Sequence, residues 1–267
     1  MRLHNKTAIV IGAGQGPGTG MGNGRATVIR FAQEGATVLA VDRDLASAQE
    51  TCALAAKGGK GACTAFEADV TSEASMREMV AHARERWGRI DILHYNVGVS
   101  IAGGDAPPTE ITEEAFDRIV AINLRGMVMV CKYVLPVMRV QKSGVILGIS
   151  SLAAYEDYPY VTYKATKAAM IAYVQQLAIQ NAEFGIRANV ILPGLMDTPM
   201  AVDMRARQSG KSRAEVAAMR DTHVPLRKKM GTAWDVANAA LFLASDEANF
   251  ITGVALPVDG GALVKIG

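Results

Sequence analysis

The stretch TAIVIGAGQGPGTGMGNG, residues Thr7 to Gly24, decides how the rest of the chain is read. Thr7 to Ile11 is a short, β-branched apolar run, the mark of a buried strand, and it stops at a glycine. From Gly12 to Gly24 every second residue is glycine, seven in thirteen. Beyond them Ala26, Val28, Ile29, Phe31 and Ala32 fall at helical spacing until Gly35 stops the pattern. Strand, glycine turn and helix in this order let backbone N–H groups and the positive end of a helix approach a pyrophosphate. A flexible turn without a ligand is the alternative for such a motif taken alone.

The turn admits two registers. Gly12, Gly16 and Gly18 fit a G-x-x-x-G-x-G spacing, yet the helical pattern begins only at Asn23 and Gly24. The reading adopted puts Gly12 in the first turn and Gly22 with Gly24 at the helix start, looping out about six residues relative to a compact motif. Phosphates then lie near Met21 to Gly24. Asp42 ends the second strand, where a carboxylate accepts hydrogen bonds from a ribose diol and repels a 2′-phosphate. This predicts NAD over NADP, with Arg43 the neighbour that would turn toward a phosphate instead. Asp69 follows the third strand, placed either to bind an adenine edge or to cap the next helix.

Working outward, apolar strand-like runs alternate with helical ones to the end of the chain. Strands are expected at Thr37 to Val41, Ala62 to Glu67, Ile90 to Tyr95, Val145 to Ile149, Ala188 to Leu192 and Val254 to Val258. Helices are expected at Leu45 to Lys57, Ser72 to Trp87, Asp235 to Ser245, and from an N-cap at Thr112 towards Val140, with Pro136 a candidate kink. Met196 to Val224 reads as mixed and polar. The fold that satisfies this alternation is a doubly wound parallel α/β sheet of Rossmann type in a single domain spanning residues 1–267.

Bulk properties exclude several function classes. Half of the 267 residues are apolar, a fifth are charged and the net charge is +2, which gives no basic surface for nucleic acid. Cys52, Cys63 and Cys131 are odd in number and widely spaced, arguing against a disulfide framework and against a metal site. No run is expected to reach the roughly 20 apolar residues of a membrane span, and Met1 to Lys6 is too short and polar for a signal peptide. A soluble cytoplasmic protein with a small-molecule substrate is the expectation.

Tyr163 and Lys167 stand four residues apart, on one face if helical. A phenol titrates near ~10 in isolation and exchanges protons near neutrality only if a positive charge stabilises its phenolate. Such pairs also occur on amphipathic helices that merely shield apolar surface. Their company is what carries the argument. The Gly12 to Gly24 turn, Asp69-Val70, Tyr95-Asn96-Val97-Gly98, Asn123, Ser150-Ser151, Tyr163-x-x-x-Lys167, Pro193-Gly194 and Val258-Asp259-Gly260-Gly261 together resemble the short-chain dehydrogenase/reductase family over essentially the whole chain.

That resemblance implies a hydride transfer between a nicotinamide cofactor and a secondary alcohol or its ketone. It implies Tyr163 as the acid/base, Lys167 lowering its pKa and holding the nicotinamide ribose, a serine polarising the substrate oxygen, and Asn123 supporting a proton-relaying water. The strand pattern selects Ser151 as that serine; the commonest family spacing to the tyrosine would select Ser150. For the cofactor it implies contacts from Gly12, Gly14, Met21, Gly22, Asn23, Gly24, Asp42, Arg43, Asp69, Val70, Asn96, Val97, Gly98, Tyr163, Lys167, Pro193, Gly194, Met196 and Thr198. Three departures stand out: Ile11 in place of a usual Thr, Tyr95 and Val97 in place of Asn and Ala, and the enlarged glycine loop. Tyr95 is placed to fill the space left by the missing Thr–Asn contacts.

Substrate specificity is expected from Leu152 to Tyr160, with Tyr155, Tyr158 and Tyr160 flanking Glu156 and Asp157. It is also expected from a lid at Leu195 to Val224 carrying Met196, Met200 and Met204. The resemblance further implies a homo-oligomer, tetramer or dimer, pairing through the two long helices. An NADPH-dependent ketoacyl reductase and a nucleotide-sensing protein without catalysis remain open as alternatives.

Overall fold

A computed structural model describes residues 1–58 and 60–265. Seven parallel strands form one sheet in the order β3-β2-β1-β4-β5-β6-β9. They are β1 (Thr7–Ile11), β2 (Thr37–Asp42), β3 (Cys63–Glu67), β4 (Ile92–Tyr95), β5 (Gly144–Ile149), β6 (Ile186–Pro193) and β9 (Ala255–Val258). The chain runs outward from β1 to β3, returns to β4 and continues the other way, so the β1/β4 junction is the switch point where such sheets bind ligands.

Alternation along the strands splits the core in two. Ile9, Ile11, Leu39, Val41, Leu93 and Tyr95 face α3 (Glu73–Trp87), α5 (Gly126–Gln141) and α6 (Val161–Asn181). Ala8, Val10, Val38, Ala40 and Ile92 face α1 (Asn23–Gln33), α2 (Leu45–Ala56) and α9 (Ala233–Ala244). A strand buried on both faces needs apolar residues at odd and even positions alike, which explains why these strands read as continuous apolar runs. His94 on β4 is the exception. It is fully buried, neither ring nitrogen has a partner among the described residues, and burial pushes its pKa down to about 3.

The segment read as mixed holds real structure: β7 (Met196–Asp197), α7 (Met204–Ser209) and α8 (Arg213–Asp221), with β7 paired to β8 (Gly231–Thr232). Its helices are short, and their apolar contact is the small cluster Val202, Ala206, Val216, Val224 and Met230. Short helices with one apolar side chain per turn leave little periodicity to read.

Two expectations are corrected. Cys52 on α2 and Cys63 at the head of β3 are joined as a disulfide, their Cα atoms 5.2 Å apart, while Cys131 is free and buried. The packing of α2 across β3 brings them together, and an odd count at wide spacing says nothing about that packing. Second, α4 (Glu113–Val120), a wide π-type turn (Ala121–Arg125) and α5 run on as one helix, Glu113–Gln141, long and apolar enough to cross a membrane by length and composition alone. Its inner residues Ile119, Met127, Val130, Cys131, Val134 and Met138 are buried in the fold. Thr112 caps this helix through the Ala115 N–H, and the irregular turn falls at Ala121–Arg125, ahead of Pro136.

Candidate active site

The carboxyl ends of β1, β4 and β5 open onto one cleft. On its nucleotide side α1 begins at Asn23, with Gly22 as N-cap, no side-chain cap and no acidic residue in its first turn. Other helices are closed differently: Asp44, Ser72, Thr112 and Ser212 cap α2, α3, α4 and α8, and Asp105 accepts from the Thr162 and Tyr163 N–H groups at the start of α6. An uncapped helix start with free N–H groups suits a pyrophosphate. Gly24 is forced by close packing, since a Cβ there would collide with the Gly12 carbonyl and the Asn96 amide.

The enlarged loop is stapled by Gln15, which sequence reasoning passed over. Its side-chain oxygen accepts from the Gly22 N–H at 2.8 Å and its amide donates to the Gly20 carbonyl at 2.8 Å. Asp42 ends β2 as expected and turns back over this loop, accepting from the N–H groups of Gly14 at 2.8 Å and Asp44 at 3.1 Å. Asp69 neither caps α3, a role taken by Ser72, nor stands free. It accepts from the Thr71 N–H and hydroxyl, each at 2.8 Å. Uncapped N–H groups, the close-packed glycines and the Asp42 carboxylate fit a dinucleotide.

The far side of the cleft holds the phenol and the lysine. Lys167 is almost wholly buried, its ammonium donating to the carbonyls of Ile149 at 2.7 Å and Val97 at 3.4 Å, 5.7 Å from the centre of the Tyr163 ring. It fits because residue 98 is glycine: a Cβ there would press on Lys167 Nζ at 2.8 Å. Burial pushes the ammonium down to about 7. Burial likewise pushes the Tyr163 hydroxyl up to about 12, opposed by the Ser151 hydroxyl beside it and by the Arg205 guanidinium on the lid. The Lys167 ammonium is turned onto main-chain carbonyls, and the Arg205 guanidinium, which sequence reasoning did not name, is a second cation near the phenol.

The two serines separate cleanly. Ser150 is buried and donates to the Lys167 carbonyl at 2.7 Å, fixing β5 to α6, while Ser151 lies at the strand end beside Tyr163 and accepts from the Ala153 N–H. Asn123 sits in the wide turn with both ends of its amide engaged. It accepts from the Val99 N–H at 2.8 Å and donates to the Val99 carbonyl at 2.9 Å and the Thr166 hydroxyl at 3.1 Å. Tyr95 pairs with Ile11 across β1 and β4 and donates to the Ile122 carbonyl at 2.5 Å, a carbonyl in the same turn. The unusual tyrosine therefore fills space and also holds the backbone beside Asn123.

Asp105 was missed by sequence reasoning; its signal was only a lone acid in a Gly- and Pro-bearing loop. It is buried, and it also receives the Ser100 hydroxyl at 3.2 Å. Of the tyrosines expected at the substrate surface, Tyr158 packs 5.5 Å from the Tyr163 ring and 5.6 Å from Tyr160, whereas Tyr155 is exposed. Met196 is core, Met200 is exposed, and Thr198 caps the turn that leads into α7. Pro193 and Gly194 close β6, and the Gly194 N–H donates to the Val258 carbonyl.

Comparison with known proteins agrees with this geometry. A family model described as enoyl-(acyl carrier protein) reductase matches residues 18–262. The chain is 33% identical over 267 residues to the 3-oxoacyl-acyl-carrier-protein reductase FabG of Thermotoga maritima, covering 99% of this chain and 100% of that protein. It is 39% identical over 266 residues to the oxidoreductase UcpA of Salmonella typhimurium, covering 98% and 95%. A crystal structure of a short-chain dehydrogenase/reductase from Burkholderia xenovorans superimposes with a TM-score of 0.90 at 42% identity, covering 100% of this chain and 99% of that one. With its switch-point cleft, uncapped first helix and buried lysine beside Tyr163, the chain belongs to the short-chain dehydrogenase/reductase family of oxidoreductases, which act on alcohol and keto groups with a nicotinamide cofactor.

Proposed function

We propose that this protein is an NAD-dependent oxidoreductase interconverting a secondary alcohol and its ketone, with Tyr163 as the acid/base. The observation that carries the reading is the grouping of half-buried Tyr163 and buried Lys167 on α6 with Ser151 just past the end of β5, its hydroxyl beside the phenol. A bound nicotinamide would supply or accept the hydride. The residues of this chain do the rest. Tyr163, protonated at neutral pH, donates its hydroxyl proton to a carbonyl oxygen in the reductive direction and takes it back in the oxidative one. Ser151 polarises the same oxygen. Arg205 and Lys167 face the phenolate left behind, and Asn123 fixes the turn beside Lys167.

Gly12, Gly22 and Gly24 and the start of α1 would hold the pyrophosphate, and Asp42 would read the ribose diol. Asn96, Val97, Gly98, Lys167, Gly194 and Thr198 would line the nicotinamide end. Once Asp42 turns from Gly14 to the diol, its charge disfavours a 2′-phosphate, which supports NAD. Arg43 is the neighbour that would favour NADP, and FabG names a ketoacyl reductase as the second reading.

The segment Leu195 to Val224 would close as a lid. Pairing through the helix Glu113–Gln141 is supported by its apolar window, of which 39% is buried within one chain.

Tyr163→Phe tests the assignment: cofactor binding should persist while turnover on a panel of alcohols and ketones falls by about 10²-fold or more. Retained turnover would remove Tyr163 from the chemistry. Running the wild-type panel with NAD and NADP in parallel separates the dehydrogenase from the ketoacyl-reductase reading.

A further inference from the structure

The lid contains four carboxylates, and each has a partner. Asp197 and Asp203 both bind Arg213, Glu215 is the capping partner of Ser212, and Asp221 binds Lys229 and the Met230 N–H. Its four arginines divide into two sets, with Lys211 exposed. Arg207 and Arg213 face the glycine loop: Arg207 donates to the Pro17 carbonyl, and Arg213 lies against Gly20. Arg205 and Arg220 face the other way. Arg205 acts on Tyr163, and Arg220 lies near Arg205, Tyr158 and Asp197.

These two half-buried arginines have no ion-pair partner among the described residues. Arg205 donates to the Ala201 carbonyl one turn back. Arg220 stands one turn beyond Val216, on the face of α8 that packs against α7, and its Nε is buried without any hydrogen-bond partner. Two guanidinium groups brought together and partly desolvated repel each other and lose solvation, which a fold tolerates when a ligand supplies the missing negative charge. The burial and the neighbouring Arg205 both push Arg220 down to about 10, so it stays charged at neutral pH.

We propose that Arg205 and Arg220 form an anion-recognition subsite on the lid near Tyr163, so that the alcohol or ketone substrate carries a carboxylate or a comparable oxyanion. This deepens the oxidoreductase reading and rests on it. The planar guanidinium forks bind two carboxylate oxygens each in fixed geometry, which orients the reacting carbon toward Tyr163. Tyr158, packed on Tyr163 and hydrogen-bonded to Ser100 at 3.1 Å, forms the apolar wall between the two ends.

The test measures binding apart from turnover. Full-length protein, loaded with NADH or with NADPH, is titrated calorimetrically with matched pairs that cannot react with the reduced cofactor: 3-hydroxybutanoate and 3-hydroxybutanamide, benzoate and benzamide. The carboxylate of at least one pair should bind about tenfold tighter than its amide. Arg205→Gln combined with Arg220→Gln should bring that ratio near one, and Arg220→Lys alone should keep part of it. Equal binding within every pair, no carboxylate binding at millimolar concentration, or an advantage that survives the double substitution would overturn the subsite. Arg220→Met should also raise Tm by about 2–4 °C, since it removes a partly desolvated guanidinium whose Nε is buried without a partner; a lower Tm would show that the arginine is structural. Tyr163-dependent turnover of neutral alcohols would leave the oxidoreductase reading standing whatever the pairs show.

Discussion

On the floor of the cleft Asn123, Ser150 and Lys167 bind main-chain groups, whereas on the lid Arg213, Asp197 and Asp203 bind one another. Main-chain partners are fixed by strand register, so moving one floor residue means breaking a sheet whose strands are buried on both faces. Ion pairs on a partly exposed lid are worth at most about 1 kcal/mol each and exchange partners readily. The floor is therefore set by the fold before any ligand arrives, and the lid is the part able to rearrange around one.

Replacing Lys167 by Met attacks the floor most directly. Turnover should fall by about 10²-fold, while the variant should be more stable than wild type near neutral pH. The lysine titrates at about 7 when folded against an ordinary 10.5, so between those values the unfolded chain binds more protons. Stability of wild type relative to the variant should rise from pH 7 towards 10.5 and then level off. Denaturant melts at pH 6, 8 and 10.5 measure this, and a difference constant with pH would contradict the buried ammonium.

Tyr95→Phe keeps the volume and removes the donor to the Ile122 carbonyl. An orphaned buried carbonyl costs about 1–3 kcal/mol. With the turn around Asn123 loosened, kcat should drop about tenfold with less change in cofactor KM. Lower stability with unchanged kcat would confine Tyr95 to packing.

Arg213→Gln frees Asp197 and Asp203 on the lid at once. Because these pairs bear on closure more than on chemistry, substrate KM should rise about three- to fivefold with kcat nearly constant. Stability should change by less than about 1 kcal/mol. A tenfold loss of kcat here would mean that the lid belongs to the rigid part of the site and would erase the contrast.

Much of the fold was legible because buried parallel strands write themselves as apolar runs: Thr7 to Ile11 is the observed β1 to the residue. The start of α1 at Asn23 was legible for a related reason, since alternating glycines cannot sustain a helix and the apolar spacing begins only after them. Legibility failed where partners come from distant segments. Gln15 gave no signal, because its value lies in reaching Gly20 and Gly22 across a loop. Asp105 gave little, because it serves helix N–H groups 57 residues away. The Cys52–Cys63 bond was misread, because it depends on how α2 crosses β3.

The sequence by itself determined the order of strands and helices, the place of the nucleotide turn and the residue types gathered around Tyr163. Periodicity and glycine placement are local, and local sterics and burial settle them. Tertiary structure alone decided that Ser150 is locked to α6 through the Lys167 carbonyl and that Tyr95 reaches the turn beside Asn123. It alone decided that two lid arginines are left without counterions among the described residues. Those outcomes depend on which distant side chains the packing brings within a few ångströms, and no spacing along the chain encodes that directly.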